Sequence, residues 1–521
     1  MAFSIIHEDS RPPALAILAV ASIVAYVGLA IYRITLHPLA RFPGPRLAAI
    51  TKWYEAYFDI FYKGGSQYTS KIREMHDRYG PIVRINPDEV SVRDADFHDR
   101  LYAPPRSEIR HRHPHFSTTL GTTKGSFSTV DHKLHKSRRT AYSPFWGSAN
   151  VMAAEPLIMG MVNDLCKHVA GMQEGSGTSL RTLFAATSFD TFYTWAFGSS
   201  LGLLDNLKLA YDINEAVEIG VTSPPLHRIF PSMMPIARLI PSKILRYASS
   251  HLNNVMGLHS MIVKASEEWI AAYSGQSDEK QLIGHSKPQP RTLFDVLRNS
   301  NAPEEEKTAS RMAQEGIEMF MAAYTPGRTS MLAMHYLHAH PHVLERIRNE
   351  LDQVNPDPAM DLTFAKLNSL PYLRATMKEI LRITFPVGAR LPFLCAEDLE
   401  FQGWRIPANT GVSVNHRILL FDPDVFKNPY EFNPERWLDA SHPIDEKRYY
   451  IPFGKGARSC PSKEFATQFI QLIVATLIQR FDFNMDDAIW ERDVAAASES
   501  VLTSPSTESK GLKIYPVGQR Y

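Results

Sequence analysis

An apolar run near the N-terminus constrains the folding of this chain more than any other feature of its sequence. From Ala14 to Tyr32 there is no charged residue, and a helix needs roughly 20 apolar residues to cross a bilayer. We therefore predict a transmembrane anchor at residues 14–32, preceded by a short luminal segment at residues 1–13. A cleaved signal peptide and a buried core helix are the alternatives.

Basic residues around this run predict its orientation. Arg11 is the one lysine or arginine before it, whereas Arg33, Arg41 and Arg46 follow it closely. Because the cytoplasmic flank of an anchor carries the excess of basic residues, we predict a single-pass membrane protein with the bulk of the chain in the cytosol.

A proline-rich segment follows the apolar run. His37-Pro-Leu-Ala-Arg-Phe-Pro-Gly-Pro45 contains three prolines, so the chain there is stiff, extended and unable to continue a helix. We assign residues 33–48 to a hinge and residues 49–521 to one domain. An ordinary linker explains the segment equally well.

Composition excludes several classes of protein. The 521 residues are 44% hydrophobic and 21% charged with a net charge of +1, so the chain is globular and has no general attraction to nucleic acid. Three cysteines, an odd number, argue against a disulfide scaffold.

Hydrophobic periodicity predicts a mainly α fold with small β-sheets, in the α+β class. Extended runs are predicted at residues 81–86 and 399–402, each bounded by Gly, Pro or Asn, and the polar residues 274–290 are predicted as a loop. Apolar residues recur at helical spacing in Lys71–Arg78, Leu157–Met172, Ser310–His340, Pro371–Ile383 and Lys463–Arg480.

One cysteine lies in a frame that suits a metal-bound thiolate. Phe453-Gly-Lys-Gly-Ala-Arg-Ser-Cys460 combines an aromatic residue, a cation and two glycines that permit close backbone approach. A merely buried cysteine is the alternative. The stretch resembles the signature of the cytochrome P-450 family, the haem-thiolate monooxygenases. The resemblance implies that Cys460 is the axial ligand of haem iron and that Phe453 packs against its sulfur.

A second set of residues follows the order of the same family's buried ion cluster. Glu379 and Arg382 are three residues apart on one helical face and can pair, although this spacing alone is weak. The stretch Phe432-Asn-Pro-Glu-Arg436 and then Cys460 come after them. By resemblance, Arg436 joins Glu379 and Arg382 in a structural triad that holds the cysteine loop.

A basic helix is similar to the family's helix that binds the haem propionates. In Asp131-His-Lys-Leu-His-Lys-Ser-Arg-Arg139 the matching residues are His135 and Arg139. The resemblance makes Arg458 of the cysteine loop the second guanidinium anchor, since a planar guanidinium can donate two parallel hydrogen bonds to a carboxylate. A solvated basic helix is the alternative.

The predicted helix at Ser310–His340 resembles the family's helix over the distal face of haem, but it departs from the usual pattern. Thr325 stands at the threonine position and Tyr324 at the position of the acid that helps this threonine organise water. A phenol with a reference pKa near 10 is a poor proton reservoir at neutral pH. We predict catalytic roles for Thr325 and Tyr324, with a core aromatic as the alternative for Tyr324, and a helix kink at Pro326.

Other departures concern the cofactor and the pocket. Ser462 replaces the usual glycine after the cysteine, and Phe393 stands where many relatives carry a propionate-binding arginine, a loss for which Arg390 is the candidate to compensate. Phe116 and Phe127 are candidate substrate contacts.

The resemblance, which extends to fungal biosynthetic members, implies a haem-dependent monooxygenase. Its expected substrates are dioxygen and a hydrophobic small molecule such as a terpenoid, and its electrons come from NADPH through a partner flavoprotein reductase. A haem-thiolate isomerase, dehydratase or cyclase that needs no external electrons, and a non-catalytic haem-binding protein, are the alternatives.

Overall fold

The computed structural model describes residues 14–117, 120–173, 177–230, 236, 239–240, 250–273, 290–485, 487–509 and 511–520. The predicted luminal segment at residues 1–13 lies outside them, as do residues 274–289 of the predicted loop.

Helices make up most of the described chain. They are α1 (Ala14–Thr35), α2 (Arg46–Ile50), α3 (Trp53–Ala56), α4 (Tyr68–Tyr79), α5 (Ala95–Tyr102), α6 (His132–Tyr142), α7 (Ser148–Ala153), α8 (Glu155–Ala170), α9 (Leu180–Phe197), α10 (Leu207–Thr222), α11 (Pro224–Ile229), α12 (Ser250–Tyr273), α13 (Leu293–Arg298), α14 (Ala309–Ala322), α15 (Tyr324–Ala339), α16 (Pro341–Val354), α17 (Phe364–Ser369), α18 (Pro371–Ile383), α19 (His416–Leu420), α20 (Glu446–Tyr449) and α21 (Lys463–Arg480).

The strands are short and form small sheets. They are β1 (Ile82–Asn86), β2 (Glu89–Val92), β3 (Arg110–Arg112), β4 (Thr178–Ser179), β5 (Phe393–Cys395), β6 (Leu399–Phe401), β7 (Trp404–Ile406), β8 (Gly411–Val414), β9 (Phe481–Asn484), β10 (Ser498–Glu499), β11 (Thr503–Ser504) and β12 (Lys513–Gln519). The largest sheet has the order β1-β2-β8-β5-β3, and only the β2–β8 pair is parallel. The mainly α fold with small sheets is confirmed.

Helix α1 is long and apolar enough to cross a membrane. Its candidate span is Ala16–Thr35, and none of that span is buried against the rest of the described chain. The helix continues three residues beyond the predicted end of the anchor, so the proline-rich segment begins at Leu36. Exposed apolar side chains along a whole helix disfavour the core-helix alternative, because a core helix is buried.

Local signals explain where the helices near the site begin. The side chain of Asp131 accepts a hydrogen bond from the backbone N–H of Leu134 and caps α6. Thr308 caps α14 in the same way through the N–H of Arg311. Such caps satisfy backbone donors that have no partner inside the helix. The caps fix the residue at which each helix begins.

The long helix predicted at Ser310–His340 is broken at Ala323, between α14 and α15. Pro326 has no N–H to donate to the carbonyl of Ala322. The hydroxyl of Thr325 donates to that carbonyl instead, at 2.9 Å, while Ser188 donates to the carbonyl of Ala323 at 2.6 Å. The interruption therefore lies three residues before Pro326, where the kink was predicted.

The core packs α15 against α9 and α21. Gly327 permits the close approach of α9, since a Cβ atom at that position would lie 2.8 Å from the carbonyl oxygen of Phe184. This packing sets the broken helix pair directly opposite the loop that leads into α21.

Candidate functional site

A cavity of about 330 Å³ lies between the α14–α15 pair and the loop that carries Cys460. Its wall is mainly apolar, and both Cys460 and Thr325 line it. We call the side of Cys460 proximal and the side of α14 and α15 distal. A cavity of this size and polarity suits a hydrophobic ligand.

The proximal loop turns tightly around Cys460. The N–H of Cys460 donates to the carbonyl of Phe453 at 2.8 Å, and Phe453 also lines the cavity. Gly454 and Gly456 have φ angles of 64° and 71°, in the left-handed region. At Gly456 a Cβ atom would lie 1.9 Å from the carbonyl oxygen of Tyr102, so only glycine fits.

Ser462, the departure from the usual glycine, contacts the sulfur. Its hydroxyl oxygen lies 3.3 Å from Sγ of Cys460. Burial raises the pKa of the Cys460 thiol, and hydrogen bonds from Ser462 oppose this rise. A donor beside the sulfur stabilises a thiolate in a buried site.

The predicted triad comes together in a buried cluster behind the proximal loop. Two nitrogens of Arg382 donate to the two oxygens of Glu379 at 2.7 and 2.9 Å, and Nε of Arg436 donates to Glu379 at 3.0 Å. Nε1 of Trp437 donates to the same carboxylate at 2.9 Å, and its ring contacts Tyr450, just before the loop. The cluster thereby reaches the cysteine loop through Trp437.

Basic side chains with unpartnered nitrogen atoms lie around the proximal edge of the cavity. Nη1 of Arg458, Nε and Nη1 of Arg112 and Nδ1 of His135 are buried and make no hydrogen bond within the described chain. Burial lowers the pKa of Arg458 to about 8 and that of His135 to about 2. Arg139 also lines the cavity and donates to the carbonyl of Ser459 at 2.7 Å. Buried guanidinium groups without carboxylates require an anion.

Arg112, which sequence reasoning missed, lies beside Phe393, the position where an arginine was expected. The two residues are directly opposite in the antiparallel β3–β5 pair, and burial lowers the pKa of Arg112 to about 10. Arg110 and Arg112 are both buried and lie two residues apart on one face of the strand. This two-residue spacing is the local sequence signal that could have indicated Arg112.

The hypothesis that Arg390 compensates for Phe393 is wrong. Arg390 donates to Glu89 at 2.9 Å and to Glu55 at 2.8 Å in a separate buried cluster. Its guanidinium lies over the ring of Phe116, so Phe116 belongs to that cluster and does not line the cavity. Phe127, in contrast, lines the cavity.

The two predicted distal residues have different environments. Thr325 lines the cavity, and its hydroxyl donates to the carbonyl of Ala322. Tyr324 is 7% exposed, packs in the apolar core and does not line the cavity. Its position gives no support to a catalytic role, which stays a prediction.

The residues present fit a planar apolar group that carries two carboxylates and accepts a sulfur ligand. The unpartnered donors of Arg112, Arg458 and His135 supply the carboxylate site, and Cys460 supplies the sulfur. The class that this site defines is the haem-thiolate proteins.

Comparison with known proteins identifies the family. The family described as Cytochrome P450 matches residues 54–509. The chain belongs to the cytochrome P450 family, whose cofactor is haem with an axial thiolate.

Similar curated proteins come from fungal biosynthesis. The chain is 32% identical to the cytochrome P450 monooxygenase oblB of Cochliobolus heterostrophus over 497 residues, which are 94% of this chain and 93% of that protein. It is 31% identical to the tryptophan 6-hydroxylase fscE of Fusarium equiseti over 499 residues, 94% of this chain and 95% of that one. It is 30% identical to the conidiogenone synthase PchP450 of Penicillium rubens over 463 residues, 88% and 90% of the two chains.

Proposed function

We propose that the protein is a membrane-anchored monooxygenase of fungal secondary metabolism. It inserts one oxygen atom from dioxygen into a hydrophobic small molecule such as a terpenoid, and a flavoprotein reductase delivers electrons from NADPH. Helix α1 anchors it in the endoplasmic reticulum membrane with the catalytic domain in the cytosol. The observation that carries the proposal is the apolar cavity between Cys460 and Thr325.

Each site residue has a defined task in this proposal. Cys460 ligates the haem iron, while Arg112, Arg139 and Arg458 hold the propionates with a neutral His135. Bound haem with its thiolate supplies the activation of dioxygen. The apolar wall orients the substrate and excludes bulk water, and Oγ1 of Thr325 holds a water molecule from which a proton can be delivered.

The test uses the purified full-length protein. Reduction with dithionite under CO should give the long-wavelength band typical of a thiolate ligand, and Cys460→Ala should abolish that band. With a reductase added, consumption of NADPH and dioxygen in step with an oxygenated product supports the monooxygenase. Product formed without either reactant would replace it by an isomerase, dehydratase or cyclase, the second candidate, which the absence of an acid beside Thr325 favours.

A further inference from the structure

Side chains of α14 hold a loop that covers part of the cavity. The cover loop, residues 122–128, lies between β3 and α6. The N–H groups of Thr123 and Lys124 donate to Oε1 of Gln314 at 3.1 and 3.4 Å. Those of the next residues donate to carboxylates: Ser126 to Glu315 at 3.1 Å, and Phe127 and Ser128 to Glu318 at 2.7 and 3.1 Å.

Glu318 is enclosed by the cover loop. Besides the two backbone donors, the hydroxyl of Thr122 donates to Glu318 at 2.6 Å, and the hydroxyl of Ser128 also donates to it. A Cβ atom on Gly125 would lie 2.0 Å from Cδ of Glu318, so a side chain at this position would displace the carboxylate. The hydrogen bonds to Glu318 favour the ionised carboxylate, whereas burial and the nearby Glu315 raise the pKa of Glu318.

Glu318 differs from Glu315 in its cationic neighbours. Glu315 is paired with Arg311 at 2.6 Å, whereas Glu318 makes no ion pair among the described residues. It interacts electrostatically with Arg112 and Arg458.

The cover loop forms part of the cavity wall and adjoins the residues that hold Arg458. Ser126 and Phe127 line the cavity, and the guanidinium of Arg112 lies 4.1 Å from the ring centroid of Phe127. Directly after the loop, the carbonyls of Thr129 and Val130 accept hydrogen bonds from Arg458 at 2.6 and 3.3 Å. A shift of the loop would therefore move the pocket wall and the support of Arg458 together.

We propose that Glu318, assisted by Glu315, is a positioning residue that fixes the cover loop and thereby determines which ligands the cavity accepts. The part that concerns substrate choice rests on the proposed function. The fixing of the loop rests on the hydrogen bonds alone.

The principal test replaces Glu318 by an isosteric amide. In the haem-loaded enzyme, Glu318→Gln places an NH₂ group against the donors of the loop. We expect the amides of residues 122–128 to exchange with deuterium roughly tenfold faster or more, as expected for lost hydrogen bonds to a charged group. The matched control is Glu304→Gln, since Glu304 is 73% exposed and makes only surface ion pairs just before the same helix.

Two ligands of different size test the effect on the pocket. Imidazole and 1-phenylimidazole both bind haem iron through nitrogen, and the haem absorbance reports their affinities. Glu318→Gln should change the ratio of the two affinities severalfold, and Glu304→Gln should not. Equal exchange rates and equal ratios in the two variants would overturn the proposal.

A variant on the loop side keeps the proposal testable if Glu318→Gln folds poorly. Gly125→Ala should accelerate exchange in the same residues, and combining it with Glu318→Gln should add less than the sum of the single effects. Normal exchange in Gly125→Ala would count against the proposal. Because exchange needs no reductase, an enzyme without monooxygenase activity but with a Glu318-dependent loop would reject only the proposed function.

Discussion

The proximal and distal sides of the cavity differ in how closely they follow the family. The proximal side has the expected cysteine and an ion triad joined by buried hydrogen bonds, although Ser462 replaces one glycine of the loop. The distal side lacks the expected acid, breaks its helix at Ala323 and holds its cover loop through Glu315 and Glu318. One fold can therefore keep most of the residues that bind the cofactor while the residues around the substrate vary.

The largest effect is expected from removing the carboxylate charge of Glu379 at the centre of the proximal ion triad. Glu379→Gln leaves the guanidinium groups of Arg382 and Arg436 without a counterion in the interior. We expect a loss of about 3–5 kcal/mol in the free energy of unfolding, because an uncompensated buried charge is strongly destabilising. Urea unfolding measures this loss.

The sequence itself provides the control for this prediction. Glu345-Arg-Ile-Arg348 repeats the spacing of Glu379 and Arg382, but Glu345 is exposed. Glu345→Gln should change the stability by less than about 1 kcal/mol. Similar losses in both variants would show that the buried Glu379 contributes no more than an exposed carboxylate.

A second prediction separates the two glycines of the cysteine loop. Both have positive φ, yet only Gly456 has no space for a Cβ atom; at Gly454 the nearest contact is an ordinary 3.5 Å. Gly454→Ala should cost about 1–2 kcal/mol from backbone strain, and Gly456→Ala roughly 2–4 kcal/mol, since overpacking adds to the strain. The fraction of protein that shows the thiolate-type CO band should fall in the same order. A reversed order would mean that the loop is free to move away from Tyr102.

Sequence reasoning succeeded where the signals are local. The helices predicted at Pro371–Ile383 and Lys463–Arg480 have these same bounds in the structure, since a proline at the first position and strong periodicity mark their limits. Glu379 and Arg382 were recognised because partners on adjacent helical turns are close in sequence.

It failed where the contacts are distant in sequence. Arg112 acquires its position from β-pairing with Phe393, and Glu318 bonds to the N–H of a residue 191 positions away. No local periodicity encodes such pairings.

A third prediction concerns the boundary between the two sides, where the cations lie. Arg112→Met removes a buried guanidinium whose unpartnered donors suit a propionate. We expect haem to transfer to an excess of an acceptor apoprotein roughly ten to one hundred times faster, as a charge-assisted hydrogen bond contributes about 1.5–3 kcal/mol. The matched control is Arg138→Met, since Arg138 pairs with Glu306 and does not line the cavity. Equal haem loss in the two variants would remove Arg112 from the propionate site.

The smallest expected effect distinguishes the two predicted distal residues. Thr325→Ala removes a hydroxyl that faces the cavity, so less of the consumed NADPH should yield product and more should yield hydrogen peroxide. We expect a change of roughly fivefold in this ratio, equivalent to about 1 kcal/mol for one hydrogen bond to water. Tyr324→Phe should leave the ratio unchanged, because the phenol is packed in the core. If Tyr324→Phe alone raises peroxide release, the phenol of Tyr324 takes part in proton delivery although it does not line the cavity. The tyrosine that replaces the family's acid would then be catalytic.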